Sequence, residues 1–148
     1  FEASCRLAGI VTGQSTDTTA NLGRFGAELG SAFQLIDDVL DYAGESAALG
    51  KNVGDDLREG KPTLPLIHAM QHAEPQVQNQ IRDAIANGGT QDVSEIMASI
   101  EQTGSLDYTR NKALALAESA KRRLDSITES PFKQAMAVLC DVAVNRNS

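Results

Sequence analysis

The sequence predicts an all-α chain, and two observations carry that prediction. Glycine and proline punctuate a series of apolar patterns whose spacing of three and four residues matches the helical repeat. Apolar and polar residues nowhere alternate for long with the two-residue period of a strand.

The first helical pattern runs from Phe1 to about Val11 and stops near Gly13. It opens with neither an initiator Met nor an N-cap, so further sequence upstream is expected. After the polar stretch Gln14 to Thr19, a long helix carries Leu22, Phe25, Leu29, Phe33, Ile36 and Leu40 on one face. Gly23, Gly26 and Gly30 lie inside it, each costing up to about 1 kcal/mol relative to alanine. Tight helix packing is the first reading of these glycines, and pocket shaping the second.

From Gly44 to Lys61 the periodicity vanishes, and the segment from Leu49 to Lys61 is glycine-rich and dense in charge of both signs. A loop longer than about 12 to 15 residues in a compact domain is commonly functional or disordered. Pro62 is expected to open the next helix at its first position, with Leu64, Leu66, Ile67 and Met70 as apolar surface. Pro75 starts another, with Val77, Ile81 and Ile85, that ends at Asn87-Gly88-Gly89. Val93, Ile96, Met97 and Ile100 form the next stripe, closed by Gly104. A longer helix is expected from about Ser105 to Thr128, carrying Leu106, Ala113, Leu116, Ala117, Ala120, Leu124 and Ile127. Ser130-Pro131 reads as an N-cap followed by a proline at N1, with Phe132, Ala135, Met136, Leu139 and Val142 lining the last helix. Without an internal repeat, low-complexity tract or linker, residues 1–148 are expected to form a single all-α unit.

The length of 148 residues is ample for a buried core. No apolar run approaches the roughly 20 residues that a membrane-spanning helix needs. With 20 acidic against 13 basic side chains the net charge is -7, which repels nucleic-acid backbones and anionic membrane surfaces. Nucleic acid is therefore not an expected partner, and an anionic ligand would need metal ions or a few clustered cations. Cys5 and Cys140 lie in apolar helical patterns with no partner motif, so both read as reduced core residues and the cytoplasm as the location. His68 and His72 are four apart on a helical segment, but no third N or S ligand stands nearby, so they read as surface or core histidines.

The chemistry concentrates in Asp37-Asp38-Val39-Leu40-Asp41. On a helix Asp37 and Asp41 share a face and Asp38 lies about 100° around, so the three can converge on one ion. Carboxylates are hard ligands suited to magnesium, which takes one or two of them and completes its shell with water and phosphate oxygens. The cluster sits in the last turn and a half before Gly44, where the helix dipole disfavours negative charge and a cation would relieve it. A solvated acidic face is the competing reading of the spacing alone. Gln34 lies one turn ahead, on the face of Asp37 and Asp38. Lys51, in Gly50-Lys51-Asn52, offers a point charge to phosphate oxygens on a backbone that glycine leaves open. Asp55 and Asp56 could hold metal-bound water or cap a turn, and Arg58 and Lys61 could balance the local charge.

Taken together, Gly30-x-x-Phe33-Gln34-Leu35-Ile36-Asp37-Asp38-x-Leu40-Asp41 and Gly50-Lys51-x-x-Gly54-x-Asp56-Leu57-x-x-Gly60-Lys61-x-Thr63-Leu64-Pro65 resemble the second aspartate-rich region of the trans-polyprenyl diphosphate synthases. The rest of the chain resembles the C-terminal half of that family, most closely its bacterial long-chain, octaprenyl-type members. The resemblance implies an all-α bundle, usually a homodimer, that joins isopentenyl diphosphate to an allylic diphosphate with Mg2+ and makes a long-chain quinone side-chain precursor. It assigns the metal to Asp37, Asp38 and Asp41, and catalysis to these three with Lys51, which contacts the diphosphate. The expected substrate-binding residues are Phe33 and Gln34 at the pocket border, Lys51, Asp55 in support of metal-bound water, and Lys61.

The family's first aspartate-rich motif is missing from the sequence, as are the basic residues upstream of it, and the family's Lys-Thr pair would lie just before Phe1. The chain on its own is therefore expected to be inactive and to expose a helix-packing surface that favours self-association. Two other classes stay open: a noncatalytic helical partner subunit, and another diphosphate-ionising enzyme such as a terpene cyclase.

Overall fold

A computed structural model describes residues 1–43, 54–88 and 93–146. Among them the regular elements are helices, and no strand occurs. In chain order they are α1 (Glu2–Val11), α2 (Thr16–Ala43), α3 (Asp55–Arg58), α4 (Leu64–His72), α5 (Pro75–Asn87), α6 (Val93–Gln102), α7 (Ser105–Arg123), a 3-10 turn (Leu124–Ser126) and α8 (Pro131–Val144). The all-α expectation is met. Backbone contacts divide the described residues into two compact units, the first comprising Phe1–Ile36 with Lys112–Arg146, the second lying within Asp37–Asn111.

In the first unit α2 begins earlier than the polar composition of residues 14–19 suggests. Ser15 sits just ahead of it and its Oγ accepts the Thr18 amide at 3.1 Å, so the polar residues become a first turn instead of a loop. Gly26 faces α1, and a methyl group built there would lie 2.7 Å from the Phe1 carbonyl oxygen. Close packing of α1 on α2, the first of the two readings, is thus what this glycine permits. Phe25, Leu29, Ala32 and Ile36 are buried on α2, as are Ala113, Ala117 and Ala120 on α7.

Two local features of this unit depart from expectation. The α7 helix stops at Arg123, short of Thr128, because Leu124 turns inward at 2% exposure and Asn21 Nδ2 donates to the Arg123 carbonyl at 2.6 Å. That donor satisfies an oxygen that a continued helix would have used itself. On α8, Ser130 Oγ accepts the Lys133 amide as an N-cap should. Yet Phe132, Leu139 and Val142, expected to form its apolar stripe, are exposed, while Cys140, Ala143 and Val144 are buried. Cys5 and Cys140 are unpaired thiols, half-buried and buried.

The second unit is built on one apolar cluster: Tyr42, Leu57, Leu66, Ala69, Ile81, Ala84, Ile96 and Ile100. Helices α4, α5 and α6 pack on one another around it. Pro65, not Pro62, lies at the start of α4, behind the extended N-cap residue Thr63. His68 and His72 stack ring on ring at 4.2 Å, and Tyr108 stacks on the other side of His68 at 4.1 Å. His68 Nδ1 bonds Ser105 Oγ at 2.9 Å and His72 Nδ1 meets the His68 carbonyl at 2.8 Å, so each ring has a polar partner within this unit.

Candidate diphosphate site

Asp37, Asp38 and Asp41 lie in the last two turns of α2, which ends at Ala43 with no basic residue in its final turn. Asp38 is buried and Asp37 and Asp41 are half-buried. A helix C-terminus carries partial negative charge, so these carboxylates are held where their own helix disfavours them. Asp41 is tied down on both sides. Its backbone carbonyl accepts the Gly54 amide at 3.0 Å, and its Oδ2 accepts the Asp56 amide at 3.2 Å.

The partner segment is held by packing. Leu57, at 0% exposure, drives the short α3 into the apolar cluster, and Asp55 and Asp56 precede it in that helix. Gly60 closes the turn at φ +69°, and a methyl group there would stand 3.1 Å from the Ala84 carbonyl oxygen. Only glycine enters this conformation without strain.

Burial pushes the Asp41 carboxyl above its ordinary value, and the charges of Asp56 and Asp55 push it further, against the Asp56 amide and Lys61, which lower it. The Tyr42 phenol, 4% exposed, is pushed up to about 12, by burial first and then by Asp41, Asp56 and Asp38. It therefore stays protonated and shares a hydrogen bond of 3.0 Å with Thr63 Oγ1.

The remaining candidates are distributed as follows. Lys61 Nζ pairs with Asp56 at 2.8 Å and Glu59 at 2.7 Å, and these hydrogen bonds raise its pKa further. Asp55 accepts from Arg58 at 3.2 Å, so Asp56 and not Asp55 is the acidic residue joined to Asp41. Phe33 and Gln34 lie on α2 within the first unit. There the Arg146 guanidinium stands 3.8 Å over the Phe33 ring and donates to the Phe33 carbonyl at 3.0 Å. Gln34 is exposed. Lys51 lies outside the described residues.

Residue-by-residue reading missed Tyr42 and Thr63. The signal available was an aromatic residue directly after the last aspartate and a hydroxyl inside the Gly60-Lys61-Pro62-Thr63 turn. Arg146 had none, since nothing local links it to Phe33, 113 positions away.

Among the described residues no three Asp, Glu, His or Cys side chains come together closely enough to hold an ion by themselves. Asp37, Asp38 and Asp41 thus do not converge on one ion as their helical spacing suggested; magnesium typically takes one or two protein carboxylates and leaves its other positions to water and phosphate. The donors present fit such an ion: hard carboxylate oxygens, partly sheltered, one of them raised in pKa by burial first and then by like charge that a cation would offset. Among the described residues no helix is long and apolar enough to cross a membrane.

Residues 1–103 match the family model described as Polyprenyl synthetase. Across 148 residues, 99% of its length, the chain is 46% identical to the octaprenyl diphosphate synthase of Haemophilus influenzae, of which it spans 45%. Its fold superposes with a TM-score of 0.86 on a crystal structure of a decaprenyl diphosphate synthase from Rhodobacter capsulatus, at 36% identity over 97% of this chain and 45% of that one. A polyprenyl synthase from Caulobacter crescentus, crystallised with calcium and isoprenyl diphosphate, also gives a TM-score of 0.86, at 35% identity over 100% of this chain and 46% of that one.

Proposed function

This chain belongs to the polyprenyl synthetase family, and from that premise we propose that it supplies the allylic-diphosphate side of a trans-polyprenyl diphosphate synthase site. One observation carries the reading: the aspartates that end α2 are joined to the glycine-rich segment after them through the Asp41–Asp56 contact at 3.2 Å. The solved relative crystallised with calcium and isoprenyl diphosphate supports a divalent cation acting with a diphosphate. We take the cation to be Mg2+.

Of Asp37, Asp38 and Asp41, one or two carboxylates to an ion would hold it, and when bound it stabilises the negative charge that develops on a departing diphosphate. The Asp56 amide fixes one oxygen of Asp41. Lys51 would meet the diphosphate as a point charge, while Lys61, paired with Asp56 and Glu59, sets the charge balance of the same turn. We assign the reaction as condensation of isopentenyl diphosphate with an allylic diphosphate. The allylic carbon–oxygen bond breaks, the isopentenyl double bond attacks the resulting cation, and a proton leaves to the diphosphate. The product class we propose is a long-chain quinone side-chain precursor, made by a cytoplasmic homodimer.

The chain spans 45% of the length of the Haemophilus relative, and the family's first aspartate-rich motif does not occur within it. We therefore propose that these 148 residues, as the C-terminal half of one synthase domain, bind magnesium pyrophosphate without turning over substrate. Calorimetric titration of pyrophosphate into the chain in saturating magnesium should give one binding event, and Asp37→Ala should abolish it. Absence of binding in the parent chain, or binding equally strong without magnesium, would overturn the proposal.

A further inference from the structure

We propose that Tyr42 and Thr63 are positioning residues for the diphosphate site, their shared hydrogen bond closing a ring of contacts that sets the orientation of the Asp41 carboxylate. The ring can be followed atom by atom. Asp41 Oδ2 accepts the Asp56 amide at 3.2 Å. Asp56 accepts from Lys61 twice, at its carboxylate from Nζ at 2.8 Å and at its carbonyl from the Lys61 amide at 2.9 Å. The Lys61 carbonyl accepts the Thr63 amide at 2.9 Å. Thr63 Oγ1 meets the Tyr42 hydroxyl at 3.0 Å, and Tyr42 follows Asp41 in the chain.

Burial and covalent stiffness make this ring more than a string of contacts. Tyr42 and Thr63 are 4% and 9% exposed, so neither hydroxyl can exchange its partner for water at no cost. Pro62 stands between Lys61 and Thr63, its φ fixed by its ring, and it restricts the backbone of Lys61 as well. A displacement of Thr63 therefore passes to Lys61 and to Asp56 instead of being absorbed by rotation. The aromatic body of Tyr42 fills the core cluster. Its hydroxyl adds nothing to that packing, which leaves the tie across 21 residues as its role. The Asp56 amide is the group one step removed from the Asp41 carboxylate; removal of such direct partners typically changes metal affinity about 10- to 100-fold, which sets the upper range for a tie further along the ring.

The inference rests on the magnesium-diphosphate reading above, and the experiment separates the two. Pyrophosphate is titrated calorimetrically into the full chain in saturating magnesium, with a thermal melt recorded for each variant. Tyr42→Phe and Thr63→Val should each weaken binding measurably, by up to about 10-fold. The double variant should be no weaker than the weaker single one, because both remove the same bond. Thr63→Ser, which keeps the hydroxyl, should bind like the parent even if its melting point falls. If Thr63→Val does not fold, the contrast between Tyr42→Phe and Thr63→Ser decides the question. Parent-like affinity in Tyr42→Phe, additive losses in the double variant, or a Thr63→Ser as weak as Tyr42→Phe would overturn the positioning role alone. A parent chain that fails to bind would overturn the diphosphate reading and this inference with it.

Discussion

Leu57→Ala is the perturbation that links the core most directly to the site. Leu57 is 0% exposed, belongs to the apolar cluster under α3, and directly follows Asp55 and Asp56. Truncation removes three carbons from that cluster, about 2.4 kcal/mol at about 0.8 kcal/mol each, before any cavity is counted. With a cavity that relaxes only in part the loss should reach about 3 to 4 kcal/mol. For a chain of this length that lowers the melting temperature by roughly 6 to 16 °C, at about 2 to 4 °C per kcal/mol.

The location of the loss matters more than its size. Because Leu57 anchors a short segment, local opening of residues 54–61 should become easier by a similar amount. Each 1.4 kcal/mol is about ten-fold, so exchange of the Asp56 and Arg58 amides should accelerate about 100-fold or more. Their acceptors are the Asp41 carboxylate and the Gly54 carbonyl. Urea unfolding followed by circular dichroism gives the first quantity, and amide exchange read by mass spectrometry gives the second. Leu57→Met, close in volume, should stay within about 1.5 kcal/mol of the parent. A loss below about 1 kcal/mol in Leu57→Ala, or a full loss with unchanged exchange at 54–61, would refute the view that this side chain holds the turn against Asp41.

Gly60 and Gly88 both have positive φ, +69° and +64°, but among the described residues an added methyl would meet neighbours at Gly60, the nearest at 3.1 Å, and none at Gly88. Gly88→Ala should therefore lose about 1 to 2 kcal/mol from backbone strain, and Gly60→Ala measurably more, in parallel denaturant titrations. Burial raises the Glu28 carboxyl, but hydrogen bonds from Arg123 and Ser119 with the Arg123 charge outweigh it and hold Glu28 below its ordinary value of 4.5. The stabilisation is thus present in full above 4.5 and is lost as the pH falls through the lower folded value. Acid unfolding of Glu28→Gln should show a deficit against the parent at neutral pH that closes in acid, and a deficit that widens in acid would contradict the assignment.

The order and type of the helices were legible because their determinants are local. Gly88 and Gly104 take positive φ at helix ends, and Ser130 caps the helix that Pro131 opens. Each acts within four residues and would act the same way in almost any surroundings. The aspartate cluster was legible for the same reason, since helical spacing alone brings Asp37 and Asp41 to one face. The apolar helical pattern around the two cysteines also sufficed to make Cys140 a buried thiol, though Cys5, read the same way, is only half-buried.

Tertiary packing decided the rest. The α7 helix could have continued past Arg123 on propensity, but the Asn21 amide, 102 positions away, took the carbonyl at its end. An apolar spacing on α8 named Phe132, Leu139 and Val142, yet helical periodicity does not say which face finds a partner, and within this chain the face bearing Cys140 and Ala143 did. Lys61 was legible as a charge-balancing group, but that Asp56 is its partner followed only from the turn at Gly60. Asp56 rather than Asp55 reached Asp41, a choice made by the direction in which Leu57 enters the core. The residue types and their spacing determined that this chain is helical and carries an acidic, cation-seeking end on α2. Which groups surround those carboxylates only the tertiary structure could decide, because pairing between residues far apart in sequence depends on how whole elements pack, and no local pattern records it.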